Sequence, residues 1–153
     1  MDEIDRNILI AVQKDGAAGL AELAKVAGLS VSATAERIKR LEERNTIRGW
    51  RADLDPEAIG CPLLGFVFVR TSSDGRAAFE GLMRGLEPVL ECHSITGSWT
   101  FLLKIRAESL QALETFISDV LARFDGVARA KLLIATSSAK ETSILPISEA
   151  DEE

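Results

Sequence analysis

The chain has two cysteines, one histidine, four prolines and no long apolar run, and each shortage removes a class of protein. Cys61 and Cys92 are far apart and outside any CxxC spacing, which leaves neither a disulfide framework nor a zinc site, so both are read as packing residues. A Ser-His-Asp triad would have to use His93, and no GxSxG elbow accompanies it. His93 is therefore assigned to a sheet or a dimer interface. Paired carboxylates stand in no recognisable motif, so the chain is expected to be no enzyme and to carry no metal or resident cofactor. No apolar stretch approaches the roughly 20 residues of a membrane helix, which excludes a membrane partner. The acidic start Met1-Asp2-Glu3-Ile4-Asp5 lacks the basic-then-apolar pattern of an export signal, so a cytoplasmic location is expected.

What is present is enough hydrophobic residue, 46% of 153, for one core or for two small domains. The net charge of -6 is unevenly spread. Between positions 37 and 51, Arg37, Lys39, Arg40, Arg44, Arg48 and Arg51 oppose only Glu42 and Glu43, so that stretch is +4 and the remainder is -10. Four of those negative charges lie in the last five residues, read as a disordered, solubilising tail.

Ile4, Ile8, Leu9 and Val12 recur at helical spacing before Asp15-Gly16. Leu20, Leu23, Ala24 and Ala27 make a second short helix that Gly28 ends. Ser30 is a natural N-cap for a third helix, running to Arg44, in which Val31, Thr34, Ala35, Ile38 and Leu41 form the packing stripe. Thr46 to Asp53 alternates β-branched or aromatic with polar residues and predicts a short wing strand. These features predict a winged helix-turn-helix over 1–53 and a linker over 54–62, where two prolines and Gly60 fall.

Beyond the linker the pattern reads strand, helix, strand, strand, helix, strand. Leu63 to Arg70 is the first strand, Phe79, Leu82, Met83 and Leu86 mark a helix, and Val89 to Thr96 and Thr100 to Arg106 form a hairpin around Gly97-Ser98-Trp99. Ser109 caps a helix bearing Leu113, Phe116, Ile117, Val120 and Leu121, and Val127 to Ala135 is the last strand. This βαββαβ order is ferredoxin-like, giving an α+β chain with its second domain over 63–142 and an acidic tail over 143–153. Leu63 to Val69 is apolar on both alternating sets, yet the helices of such a fold cover one side of the sheet. The other side is either covered by a second copy, making a homodimer that pairs two third helices, or left as a greasy exposed face.

A helix-turn-helix presents the start of its second helix to the major groove of duplex DNA, where small polar residues and then basic ones serve. Ser30, Ser32 and Thr34 supply the first kind, although Thr34 also fits the core stripe, and Ala33 heads the stripe that carries the second. Arg37, Arg40 and Arg44 follow Ala33 at i+4, i+7 and i+11, and Arg48 and Arg51 extend the cluster. The same residues fit a solvated face in which Glu36 pairs with Arg40.

Asp5-Arg6-Asn7-Ile8-Leu9, Leu23-Ala24-Lys25-Val26-Ala27-Gly28-Leu29-Ser30, Glu36-Arg37-Ile38-Lys39-Arg40-Leu41-Glu42 and Ile47-Arg48-Gly49-Trp50 together resemble the Lrp/AsnC (feast/famine, leucine-responsive) transcription regulators. The resemblance continues through Glu91-Cys92-His93 and Gly97 with Phe101-Leu102-Leu103-Lys104. It implies a DNA-binding regulator with a RAM-type effector domain, built from dimers that join into tetramers, octamers or other rings and respond to an amino acid bound between dimers. The effector positions it implies are Gly97, Ser98, Trp99 and Thr100, with Thr136, Ser137 and Ser138 as a further wall. Two acids common in the family's loop are replaced here by Ser98 and Thr100, which removes a charged acceptor for an ammonium group. Either the effector differs from the usual ones or none binds, and Trp99 serves as a stacking surface or as a plug between dimers. Two other functions compete: a metabolite-binding module without DNA binding, and an enzyme similar to the haem-pathway decarboxylases, against which the lone histidine argues.

Overall fold

A computed structural model describes residues 1–148, apart from the side chain of Leu121, and the acidic end at 149–153 lies outside it. The chain forms two compact units, Met1–Asp53 together with the segment from Lys140, and Leu54–Ala139.

The first unit holds α1 (Glu3–Lys14), α2 (Leu20–Ala27) and α3 (Val31–Glu43). Each begins or ends where local chemistry dictates. The Asp2 carboxylate caps α1 by accepting from the Asp5 N–H at 2.8 Å, and Gly28 ends α2 in the left-handed region at φ 65°. Ser30 opens α3 by accepting from the Ala33 N–H at 3.2 Å, and left-handed Asn45 closes it while the Thr46 N–H returns to the Leu41 carbonyl. Ile8, Leu9, Leu23, Ala27, Ile38 and Leu41 form the core.

Two expectations fail in this unit. Val31 is 48% exposed, because it lies in the first turn of α3, beyond the part of the stripe that faces other helices. Residues 46–53 form no strand: a strand needs a hydrogen-bonded neighbour, and the segment pairs with none among the described residues. Residues 46 and 47 bend instead and 48–53 follow without regular structure, with Trp50 donating its indole N–H to Glu42 at 2.8 Å.

The second unit orders β1 (Leu63–Thr71), α4 (Arg76–Arg84), β2 (Val89–Ser94), β3 (Phe101–Ala107), α5 (Leu110–Arg123) and β4 (Val127–Ile134) into a sheet with order β2-β3-β1-β4, every pair antiparallel. Val67 and Val69 of β1 and Phe101, Leu103 and Ile105 of β3 are buried with Phe79 and Met83 of α4 and Leu113 and Val120 of α5. Phe79 stacks on Phe101 at 4.9 Å and meets the edge of Phe124 at 5.5 Å. Because side chains alternate along a strand, Phe66, Phe68 and Leu102 fall on the opposite side, with Leu133 43% exposed beside Phe66. This second apolar side is rimmed by Lys104, Arg129, Lys131 and Glu91.

Candidate nucleic-acid interface

α3 is held by polar anchors as well as by its apolar stripe. The Arg37 guanidinium donates to Asp2 at 2.6 Å and to Asp5 at 2.8 Å, binding α3 to the first turn of α1. Hydrogen bonds to Asp5 and then Asp2 raise the Arg37 pKa above its ordinary value. The Asp5 backbone N–H, followed by Arg37, holds the Asp2 carboxyl below its ordinary 3.8. A carboxyl group depressed in the folded state contributes stability above its unfolded pKa, and that stability is lost as pH falls through the folded value. Asp2→Asn keeps a capping acceptor but removes the charge. Its thermal midpoint should therefore fall less steeply than the wild type's as pH drops below about 4. Parallel slopes in a pH series of melting curves would contradict the clamp.

The clamp changes which residues can meet a nucleic acid. Thr34 is fully buried, with its hydroxyl donating to the Ser30 carbonyl at 3.0 Å, so it packs rather than reads. Arg37 is half-buried and donates to two carboxylates, so it is held against α1 instead of standing free on the exposed stripe. Ala33 is half-buried and Ser32 is exposed, its hydroxyl 3.1 Å from that of Ser30. Arg40 touches Glu36 at 3.3 Å, with both side chains more than half exposed, a pair that water screens and phosphate can displace. Arg44, Arg48 and Arg51 are exposed and make no ion pair among the described residues. A cleft of about 310 Å³ between α1 and α3 is bordered by Arg40, Arg44, Leu41 and the Arg37 clamp. Asp2 and Asp5 were missed as functional neighbours by sequence reasoning, although their i, i+3 spacing at a helix start could have flagged a shared partner.

The expected effector residues do not converge within one chain. Gly97 turns the β2–β3 loop at φ 103°, and Thr100 lies by Val69 and Thr71 at the end of β1. Thr136, Ser137 and Ser138 follow Ala135, whose N–H meets the Leu64 carbonyl at the start of β1. Leu64 and Val69 are five residues apart on one strand, so the two groups are separated by roughly 17 Å. The Thr100 hydroxyl oxygen already accepts the Thr71 N–H at 3.1 Å, leaving it chiefly a donor. Trp99 leans on Phe68 at 5.8 Å, and the Arg129 guanidinium lies over its ring at 5.2 Å. Arg129 was not a candidate from sequence; the β1–β4 register that brings it to Arg70 is what places it on this side of the sheet. His93 is exposed on β2, 3.0 Å from Glu91, which also receives Lys104 at 3.4 Å. The His93 ring, followed by Lys104, keeps the Glu91 pKa below its usual value.

Comparison with known proteins matches both units. Residues 1–42 fit the AsnC-type helix-turn-helix domain and residues 64–145 the Lrp/AsnC ligand binding domain, which runs past Ala139 into the segment that returns to the helical unit. An HTH-type transcriptional regulator of Pyrococcus abyssi is 36% identical over 147 residues, covering 96% of this chain and 97% of that protein. The leucine-responsive regulatory protein of Escherichia coli is 35% identical over 150 residues, covering 96% of this chain and 92% of its own length. Among solved structures, a transcriptional regulator of Neisseria meningitidis in complex with L-Met superposes with TM-score 0.89 at 30% identity, covering 95% of this chain and 96% of that one. An AsnC family regulator of Agrobacterium tumefaciens gives TM-score 0.88 at 30% identity over 95% of this chain and 97% of its own.

Proposed function

The chain belongs to the Lrp/AsnC family of transcription regulators, and from that premise we propose that it binds duplex DNA through the exposed side of α3 as a homodimer whose binding a small molecule controls. The observation that carries the reading is the cationic surface of Arg40, Arg44, Arg48 and Arg51, exposed beside an N-capped helix in a chain whose net charge is -6. Acidic charge elsewhere and basic charge here favour one docking orientation on a polyanion. Ser32, at the start of α3, stands where a side chain reaches base edges or phosphate.

Dimerisation is supported by the second apolar side of the sheet, where Phe66, Phe68 and Leu102 have no helix of their own unit over them. A twofold copy covers that side and pairs two α3 helices. Further assembly into tetramers or octamers is the means by which the two ends of β1 from different chains come to share one ligand. That reading accounts for the roughly 17 Å between Thr100 and Thr136 within one chain. An amino acid is the proposed ligand class, supported by the L-Met complex of the Neisseria meningitidis relative. With Ser98 and Thr100 in place of acids, the pocket favours a ligand bound through its carboxylate and apolar side chain. Such a regulator works in the cytoplasm, and none of the described helices is long and apolar enough to cross a membrane.

One titration tests both halves. Labelled genomic fragments are bound at rising salt, with and without each of the twenty amino acids. Affinity is expected to fall with a log–log slope of about -0.9 per phosphate contacted, and at least one amino acid should shift it. Salt-independent binding would remove the DNA reading, and indifference to every amino acid would remove the ligand reading.

A further inference from the structure

The chain passes between its two units twice, at Asp53–Leu54 and again at Ala139–Lys140, and the second passage leads to a contact that no helix or strand pattern announces. Residues 140–148 adopt no regular secondary structure. Even so, Ile147 packs against the core formed by Ile8, Leu9, Leu23, Ala27, Ile38 and Leu41. The Gln13 side chain near the end of α1 meets Leu145 twice: its Oε1 accepts the Leu145 N–H at 2.7 Å, and its Nε2 donates to the Leu145 carbonyl at 3.2 Å.

The chemistry of that pair is specific. An extended residue points its N–H and its carbonyl to the same side, and a carboxamide offers one acceptor and one donor at matching spacing. Gln13 therefore behaves as one residue of a partner strand. Pro146 supports the arrangement, because a residue preceding proline is driven to extended geometry, which is what Leu145 must adopt to present both groups. Thr142 adds a local restraint, its hydroxyl accepting the Ile144 N–H at 3.1 Å.

We propose that residues 140–148 are a releasable latch on the helix-turn-helix unit, through which the end of β4 acts on α1. The latch meets the helical unit through the paired Gln13–Leu145 hydrogen bonds and the partly buried Ile147 side chain, while Ile144 and Leu145 are 52% and 66% exposed. A segment without regular structure, exposed at every described position of 140–148 but Ile147, can open without unfolding the helices, as segments at the low-stability end of a structure do. α1 is also the helix whose Asp2 and Asp5 hold Arg37 and so set the attitude of α3. Loosening α1 from its carboxyl-terminal half therefore loosens the seating of the arginine surface. Thr136, Ser137 and Ser138 lie just before the latch in the chain, so a ligand that orders them restricts where the latch can reach. The effect on DNA goes beyond the DNA-binding reading but rests on it, whereas the latch itself does not.

Amide hydrogen exchange on the full chain tests the latch, using Gln13→Ala, which removes both hydrogen bonds from a surface position, and Ile147→Ala, which trims the apolar anchor. Amides of α1 from Leu9 to Lys14 should exchange about tenfold faster in either variant, with those of β1 and β3 unchanged, and affinity for duplex DNA should fall a few-fold. Wild-type exchange in α1 for both variants overturns the latch, and so does acceleration spread equally over β1 and β3. Faster α1 exchange with unaltered affinity overturns its action on DNA. If the wild-type chain bound no duplex at all, the exchange comparison would still decide whether the latch exists.

Discussion

Replacing Arg40, Arg44, Arg48 and Arg51 together with alanine lowers affinity for duplex DNA by two to three orders of magnitude at moderate salt. A charge-assisted hydrogen bond to phosphate contributes about 1 kcal/mol or more, so four of them are worth roughly 4 kcal/mol, close to a thousandfold. The log–log salt slope should become shallower by about 0.9 for each phosphate that is no longer neutralised. Folding should survive, because the four side chains are exposed and only Arg40 is paired, with a screened partner. Arg37→Ala behaves differently. It weakens binding only through the seating of α3 and lowers the thermal stability of the helical unit, since it cuts the two bonds to Asp2 and Asp5. Fluorescence anisotropy and thermal melts of both variants separate the two roles. Equal effects on affinity with no change in stability would contradict the division between residues that touch DNA and the one that positions them.

Phe68→Asp should convert a dimer into monomers. Phe68 lies in the middle of the uncovered side of the sheet, between Leu102 on β3 and Lys131 on β4, and supports Trp99. A carboxylate at the centre of a desolvated interface costs several kcal/mol, enough to weaken association by about a thousandfold or more. In the separate subunit the same carboxylate faces Lys131 and water, so the fold tolerates it. Sedimentation should report a species near 16.6 kDa in the variant and one of twice that mass or a multiple of it in the wild type. DNA affinity should fall as well, because one reading helix then meets its half-site without its twin. An unchanged sedimentation profile would place the subunit contact elsewhere.

How much of this was legible beforehand depends on how local the determining physics is. Ser30 and Gly28 announced the boundaries of α2 and α3 because capping acts within one turn of the chain. The order of strands and helices along the chain followed from alternation and turn residues, and the second apolar side from counting faces along Leu63 to Val69. Thr34, which fitted both the packing stripe and the contact set, is buried, and Arg37 is drawn to Asp2 and Asp5; neither outcome could be read from a helical wheel, which gives relative directions only. Which direction faces the core is fixed by α1, through Asp2 and Asp5, more than thirty residues away. The wing strand failed for the opposite reason: 46–53 has strand composition, but strand formation needs a partner that no local pattern supplies. Thr136 to Ser138 and the Gly97 loop were grouped through resemblance. The antiparallel register of β1 with β3 and β4 sets them at opposite ends. The contact between Gln13 and Leu145 spans 132 residues and leaves no periodic signature.

The central claim is that this chain reads duplex DNA through the exposed side of α3, and selection of bound fragments from the sheared genome that encodes it is the most direct test. Run side by side at moderate salt, the wild-type chain should enrich discrete sites with two related half-sites, and the quadruple arginine variant should enrich none. Recovery of fragments no different from the input by the wild-type chain, or the same sites recovered by both proteins, would contradict it.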